Sequence, residues 1–200
     1  MIKAIIFDLD GVLVVPAYKF SQRLHEDFGI SSDITAPFFS GKFQECLIGR
    51  ADLKEELKPY LIKWKWDKSL DSFLEYWFKS EHNLDEELIS YIDNLKDTKF
   101  RCYVATNQEK YRTQYILNNM GFREQFERVF SSAMLGYAKP QKEFYESIMS
   151  RLEEIKEKEI LFWDDTQSHV EAAVEFGWNA ELYTSFDGFK KIMKSKYHII

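Results

Sequence analysis

The sequence predicts an α/β fold, a parallel sheet with helices on both faces and one small helical insert. Three observations lead there. Apolar, β-rich runs recur along the chain, and each ends in polar residues. Segments with helical spacing of apolar residues separate these runs, and alternating strands and helices build right-handed βαβ units on a parallel sheet. One stretch, residues 16–84, breaks the rhythm with helical patterns and no convincing strand.

The first run, residues 2–7, is almost wholly apolar and ends at Asp8-Leu9-Asp10-Gly11. Such a strand is buried on both faces of a parallel sheet. Ligands bind outside the carboxyl ends of these strands. In extended chain, residues two apart point the same way, so Asp8 and Asp10 project together into that crevice. Two carboxylates held so close repel unless a positive charge lies between them, which points to a divalent cation.

The insert follows, with candidate helices at 17–28, 32–46, 51–63 and 69–79. Its aromatics (Phe38, Phe39, Phe43, Tyr60, Trp64, Trp66, Phe73, Tyr76, Trp77, Phe78) read as the core of a helical bundle, with a minority lining a pocket that faces the sheet. The second run, 100–105, ends at Thr106-Asn107, and a helix over 109–120 stops at Gly121. A short run, 128–130, leads through a loop to Lys139-Pro140, where Pro140 fits the first turn of a helix running to about residue 152. The run 159–163 ends at Asp164-Asp165, a helix over 167–176 stops at Gly177, and 180–183 is the last candidate strand.

Composition narrows the class. The 200 residues suffice for one good-sized domain with a small insert. Net charge is −6, and no basic stripe of the kind that binds nucleic acid is visible. No apolar run approaches the roughly 18 residues of a membrane span, and the N-terminus shows no signal-peptide pattern, so a cytoplasmic protein is expected. The two cysteines, Cys46 and Cys102, form neither a disulfide framework nor a metal-type pair, and Cys102 reads as a buried thiol.

Four polar sites therefore end or closely follow strands: Asp8/Asp10, Thr106/Asn107, Lys139 and Asp164/Asp165. Each alone has an ordinary explanation, a turn former or helix cap for the others and a solvated surface lysine for Lys139. Together, in this order, they resemble the haloacid dehalogenase-like hydrolase superfamily. Asp8-Leu9-Asp10-Gly11-Val12 matches its Asp-x-Asp motif, Val104-Ala105-Thr106-Asn107 its Ser/Thr motif, Lys139-Pro140 its lysine, and Phe162-Trp163-Asp164-Asp165-Thr166 its acidic pair. The segment Val170–Gly177 also looks like the family's helix after that pair.

The resemblance implies a Rossmann-like core domain at 1–15 and 85–200, and a helical cap domain at 16–84, where subfamily I members carry theirs. It implies a Mg2+-dependent phosphatase acting on a small phosphorylated metabolite through an aspartyl-phosphate. Asp8 would be the nucleophile and a metal ligand. Asp10 would be the general acid and then base, its carbonyl reaching the metal. Thr106, Asn107 and Lys139 would hold the phosphoryl group. Asp165 would bind Mg2+ directly, with Asp164 behind it. Dehalogenase members lack the second aspartate, because a halide needs no protonation, so Asp10 favours phosphate chemistry.

Two other readings stay open. A phosphomutase of the same superfamily would share every core residue and differ in its cap. A non-catalytic phosphate-binding protein on this fold is opposed by the intact Asp8, Asp10, Lys139 and Asp165. Arg50, after Gly49 between two insert helices, reads as an exposed arginine, with reach to an anionic substrate as the alternative. His25 and Lys19 read as helix-face residues, and His169 as a surface or capping histidine.

Overall fold

The computed structural model describes residues 1–15, 20–96, 98 and 100–199. Its sheet has five strands: β1 (Ala4–Phe7), β2 (Arg101–Thr106), β3 (Arg128–Ser131), β4 (Ile160–Asp164) and β5 (Asn179–Leu182). Their order is β3-β2-β1-β4-β5 and every pairing is parallel. β1 is central, with Ala4 opposite both Arg101 and Ile160. The chain leaves β1 toward β2 on one side and reaches β4 on the other, so the crevice at the strands' carboxyl ends opens beside β1.

Period-2 alternation sends side chains to opposite faces. Ile5 and Phe7 join Cys102, Val104, Leu161 and Trp163 on one face. Helices α6 (Glu86–Lys96) and α12 (Phe186–Tyr197) cover it with Leu88, Ile92, Phe189 and Met193. Ala4 and Ile6 join Tyr103, Ala105 and Phe162 on the other face, under Phe144, Tyr145 and Ile148 of α10 (Lys142–Met149) and Ala173 of α11 (Gln167–Phe176). β1 is thus fully buried, as its apolar run predicts. Both free cysteines are buried.

Between β1 and β2, helices α1 (Phe20–Phe28), α2 (Ser32–Phe39), α3 (Lys42–Leu47), α4 (Leu53–Lys63) and α5 (Leu70–Ser80) enclose a separate core dense in aromatic rings. The two crossings into this layer are hydrogen-bonded to each other. Val15 N–H donates to the Asn83 carbonyl at 2.9 Å, and Asp85 N–H to that of Leu13 at 3.0 Å. Core helix α7 (Lys110–Asn119) holds the layer from below, since the Arg112 guanidinium donates to the Phe78 and Glu81 carbonyls at 2.8 and 3.0 Å. Two short helices complete the fold, α8 (Phe122–Gln125) and α9 (Ser132–Leu135). No helix among the described residues is long and apolar enough to cross a membrane.

Three differences from the sequence reading have local causes. The single helix expected at 32–46 is broken at Ser40-Gly41, where a Cβ on Gly41 would lie 2.8 Å from the Pro37 carbonyl oxygen. Pro140 sits before α10 rather than in its first turn, because extended Gln141 is the N-cap. Helices α6 and α12 have apolar spacing the reading passed over, in α12 behind Gly188 in the first turn. Residues 17–19 of the first expected helix, Lys19 among them, lie outside the described residues.

Candidate active site

Strand β1 delivers Asp8 at the sheet's carboxyl edge, almost fully buried. Both of its hydrogen bonds fall on Oδ1, from the Leu9 N–H and from the Lys139 ammonium, each at 2.7 Å. Oδ2 therefore has no partner among the described residues. The chain then turns tightly, with the Leu13 and Val14 N–H groups both donating to the Leu9 carbonyl at 2.8 Å. Gly11 holds φ +80° in this turn. A Cβ there would lie 2.0 Å from Asp165 Oδ2, so glycine lets that carboxylate close on the β1 loop.

Strand β2 ends in a segment that organises its neighbours. Asn107 makes a reciprocal pair with Lys139: its amide donates to the Lys139 carbonyl at 3.0 Å, and the Lys139 N–H donates to its Oδ1 at 2.9 Å. Gln108 donates a short hydrogen bond to Asp10 Oδ2. Its own carbonyl is held by the Ala133 N–H at 3.2 Å, which fixes the loop after β3. Glu109, rather than Thr106, caps α7. Thr106 is buried, and its hydroxyl has no protein partner among the described residues.

Lys139 is the electrostatic centre. Its ammonium, 1% exposed, bridges Asp8 at 2.7 Å and Asp164 at 2.6 Å, and donates to the Ala105 carbonyl at 3.0 Å. Burial disfavours its charge, but the two carboxylates outweigh burial and raise its pKa. The fully buried Asp164 also accepts from the Thr166 N–H at 2.8 Å and lies 3.1 Å from His169 Nδ1. Burial pushes its carboxyl up, but the His169 and Lys139 bonds win and hold it at about 2. Burial drives Asp8 up to about 8 against the pull of Lys139, because one ammonium serves two buried acids. Asp10 is raised too, by enclosure, with Arg112, Lys139 and the Gln108 bond opposing.

Asp8, Asp10, Thr106, Asn107, Lys139 and Asp165 all line one cavity of about 860 Å3. Asp164 does not line it, lying behind Lys139. The helical layer supplies the remaining wall, including Phe20, Phe39, Phe43 and Trp77. A minority of the insert's aromatics does face this space, as the sequence suggests. Arg50 does not: it lines a second cavity with Lys110 and Arg123, and His25 is an exposed helix-face residue.

Three participants escaped the sequence reading. His169 is not a simple capping residue, because it lines the cavity and contacts Asp164. Gln108 follows directly on the recognised Thr106-Asn107 pair, and that position was its one signal. Glu81 had none. It lies just after α5, accepts from the Trp77 indole N–H at 3.0 Å, and lines the cavity. Burial, then the nearby Asp10 charge, raise its carboxyl to about 7.

Comparisons with known proteins agree with this fold. No curated protein matches the chain in sequence. A hydrolase from Porphyromonas gingivalis, described as a predicted HAD-like family member, superposes with a TM-score of 0.78 at 20% identity, over 98% of this chain and 100% of its own. A HAD family enzyme from Bacteroides thetaiotaomicron, solved with magnesium and inorganic phosphate, gives 0.79 at 19% identity, over 93% of this chain and 96% of its own. The L-2-haloacid dehalogenase of Xanthobacter autotrophicus, with chloropropionic acid covalently bound, gives 0.66 at 19% identity, over 98% and 84%. At these identities the likeness establishes the fold. The haloacid dehalogenase-like hydrolase family model matches residues 2–177, nearly the whole chain, and the protein belongs to that family.

Proposed function

We propose that this hydrolase is a Mg2+-dependent phosphatase acting on a small phosphate monoester, with residues 1–15 and 85–200 as its core and 16–84 as a cap. The observation that carries the reading is the pairing of Asp8 and Asp10 on one cavity in unlike environments. Asp8 is buried with one carboxylate oxygen free of protein bonds, whereas Asp10 opens onto the cavity and is held through Oδ2 by Gln108, placed to deliver a proton. A dehalogenase has no use for that proton; an alkoxide leaving group requires it.

In the first step Asp8 Oδ2 attacks phosphorus and the ester P–O bond breaks. The departing alkoxide takes the Asp10 proton and leaves as an alcohol. In the second step water attacks phosphorus while Asp10, now a carboxylate, accepts the water's proton. The Asp8–phosphorus bond breaks, releasing inorganic phosphate and restoring Asp8. Lys139 holds the phosphoryl charge throughout, and the Thr106 hydroxyl and the Asn107 backbone position its oxygens. The Asn107 amide fixes where the lysine stands.

The residues present fit Mg2+. Asp8 and Asp164 share a single ammonium and Asp165 lines the same cavity, a concentration of carboxylate oxygens that suits a hard cation with oxygen ligands. Asp8, Asp164 and His169 offer ligand atoms within 4.8 Å of one another, but both Asp164 oxygens are already bonded. We therefore assign the ligands as Asp8, the Asp10 carbonyl and Asp165, whose one side-chain partner is the Thr166 hydroxyl at 3.1 Å. Bound there, the metal would neutralise phosphoryl charge. The magnesium and phosphate seen in the Bacteroides enzyme support the assignment. The test is phosphate release from a broad panel of phosphomonoesters with and without Mg2+. No turnover by folded, metal-supplied protein would sink the reading.

A further inference from the structure

The cavity is much larger than a phosphoryl group with two or three carbons, and at about 860 Å3 it falls in the range of whole small-molecule sites. What fills the rest is constrained by its wall. Trp77 stacks on Phe20 with ring centroids 5.0 Å apart, and meets Phe39 at 5.4 Å and Phe43 at 5.6 Å. Phe39 and Phe43 themselves lie 5.3 Å apart. These rings touch one another, so they form a continuous aromatic wall rather than separated faces around a cation. Three hydroxyls of the helical layer interrupt this wall, Ser21, Ser32 and Thr35, and that of Thr35 is engaged with the Ser32 carbonyl at 3.2 Å.

The charge pattern is equally restrictive. Among the described lining residues, the one lysine or arginine is Lys139, held by Asp8 and Asp164. His169 is turned to Asp164. Beyond Asp8, Asp10 and Asp165, the one acid among the described lining residues is Glu81, anchored by Trp77. Among the described residues, a second phosphate or a carboxylate on the substrate would find no free cation there and one acid.

We propose that the substrate's leaving group is an apolar, ring-sized alcohol without an anionic group, seated on Phe20, Phe39, Phe43 and Trp77. This rests on the phosphatase reading and keeps its bond-breaking and proton transfers. Burial of a ring against such a wall discriminates strongly against a polyhydroxylated body of similar size, whose hydroxyls would lose water without gaining partners.

The test uses the full chain with Mg2+ and four primary alkyl phosphates, so that the departing alkoxides are chemically alike: ethyl phosphate, 2-phenylethyl phosphate, 2-(4-carboxyphenyl)ethyl phosphate and glucose 6-phosphate. The expected kcat/KM for 2-phenylethyl phosphate exceeds that for glucose 6-phosphate on the order of 100-fold. Phe43→Ser should shrink that ratio about tenfold. Should it fail to fold, Phe43→Leu and Phe39→Leu, which keep apolar volume but lose the ring, should shrink it in the same direction. Glu81→Gln should raise turnover of the carboxylated ester relative to the neutral one. Equal turnover of ring and sugar esters, or a ratio indifferent to these substitutions, overturns the proposal while leaving the phosphatase intact. Silence on all four esters with turnover elsewhere on the broad panel overturns this proposal alone, and silence across the whole panel overturns the phosphatase reading with it.

Discussion

The strand ends and the helical layer enclose the same cavity with opposite materials. At the strand ends directional bonds fix the framework and leave Asp8 Oδ2 and the Thr106 hydroxyl open to the cavity. Lys139 is held by Asp8, Asp164 and the Ala105 carbonyl, and its backbone is held by Asn107. The helical layer presents rings in mutual contact, edge to face where Phe39 meets Phe43 and Trp77, and stacked where Trp77 meets Phe20. Directional bonds on a rigid sheet set reacting atoms to within fractions of an ångström, as phosphoryl transfer demands. Non-directional aromatic contact tolerates variation in what it covers. We read the first region as setting the reaction and the second as setting the substrate, and changes in each should have different signatures.

The largest effect is expected from Asp8→Asn, which removes the nucleophile yet keeps an oxygen for Leu9 and Lys139. Steady-state phosphate release should fall by about 10,000-fold or more, with thermal unfolding little changed. Retained turnover would take Asp8 out of the nucleophile's role. Next, Lys139→Met strips the cation from two buried acids. Urea unfolding should show a loss of about 3–5 kcal/mol, together with loss of activity. A stable, inactive Lys139→Met would mean the bridge serves catalysis alone.

A subtler change tests the proton. The Gln108 hydrogen bond favours ionised Asp10, so Gln108→Leu should raise the Asp10 pKa further. Activity that needs protonated Asp10 is present below that pKa and lost as pH rises through it. The alkaline limb of the kcat/KM profile should therefore move to higher pH. A shift to lower pH, or none, would remove Asp10 from the general-acid role. The smallest effect is expected from Arg50→Ala, which alters a different cavity: kcat/KM for any accepted ester should stay within about twofold. A large loss would join the two cavities functionally and break the division drawn above.

The same contrast explains what was legible in the sequence. Residues 2–7, 100–105 and 159–163 announce buried strands because parallel strands need apolar side chains on both faces. Asp8, Thr106 and Asp164 are visible because they come directly where those runs stop. Lys139 is harder, since α9 and a short loop separate it from β3, and only Pro140 and its family resemblance mark it. Glu81 carries no such mark. Its function follows from Trp77 four residues earlier and from Asp10, brought near through folding. His169 looked like a helix surface position, and only the fold shows its ring against Asp164. Arg50 was read with two outcomes, and the structure sets it in the second cavity, exposed.

The central position of β1 has a consequence for assembly. This strand comes first in the chain, yet both its neighbours come late: Ala4 pairs with Arg101 and with Ile160. Contacts of such long sequence separation form slowly, because a large loop must close before any pairing rewards it. During synthesis the residue we assign as the nucleophile is made well before Lys139, which bridges it, and the Asp164 behind that lysine. A fragment ending before β4 would lack one whole side of the sheet around β1. Reactivity in this protein is thus a property of the finished chain, and a nascent one carries Asp8 as an ordinary carboxylate.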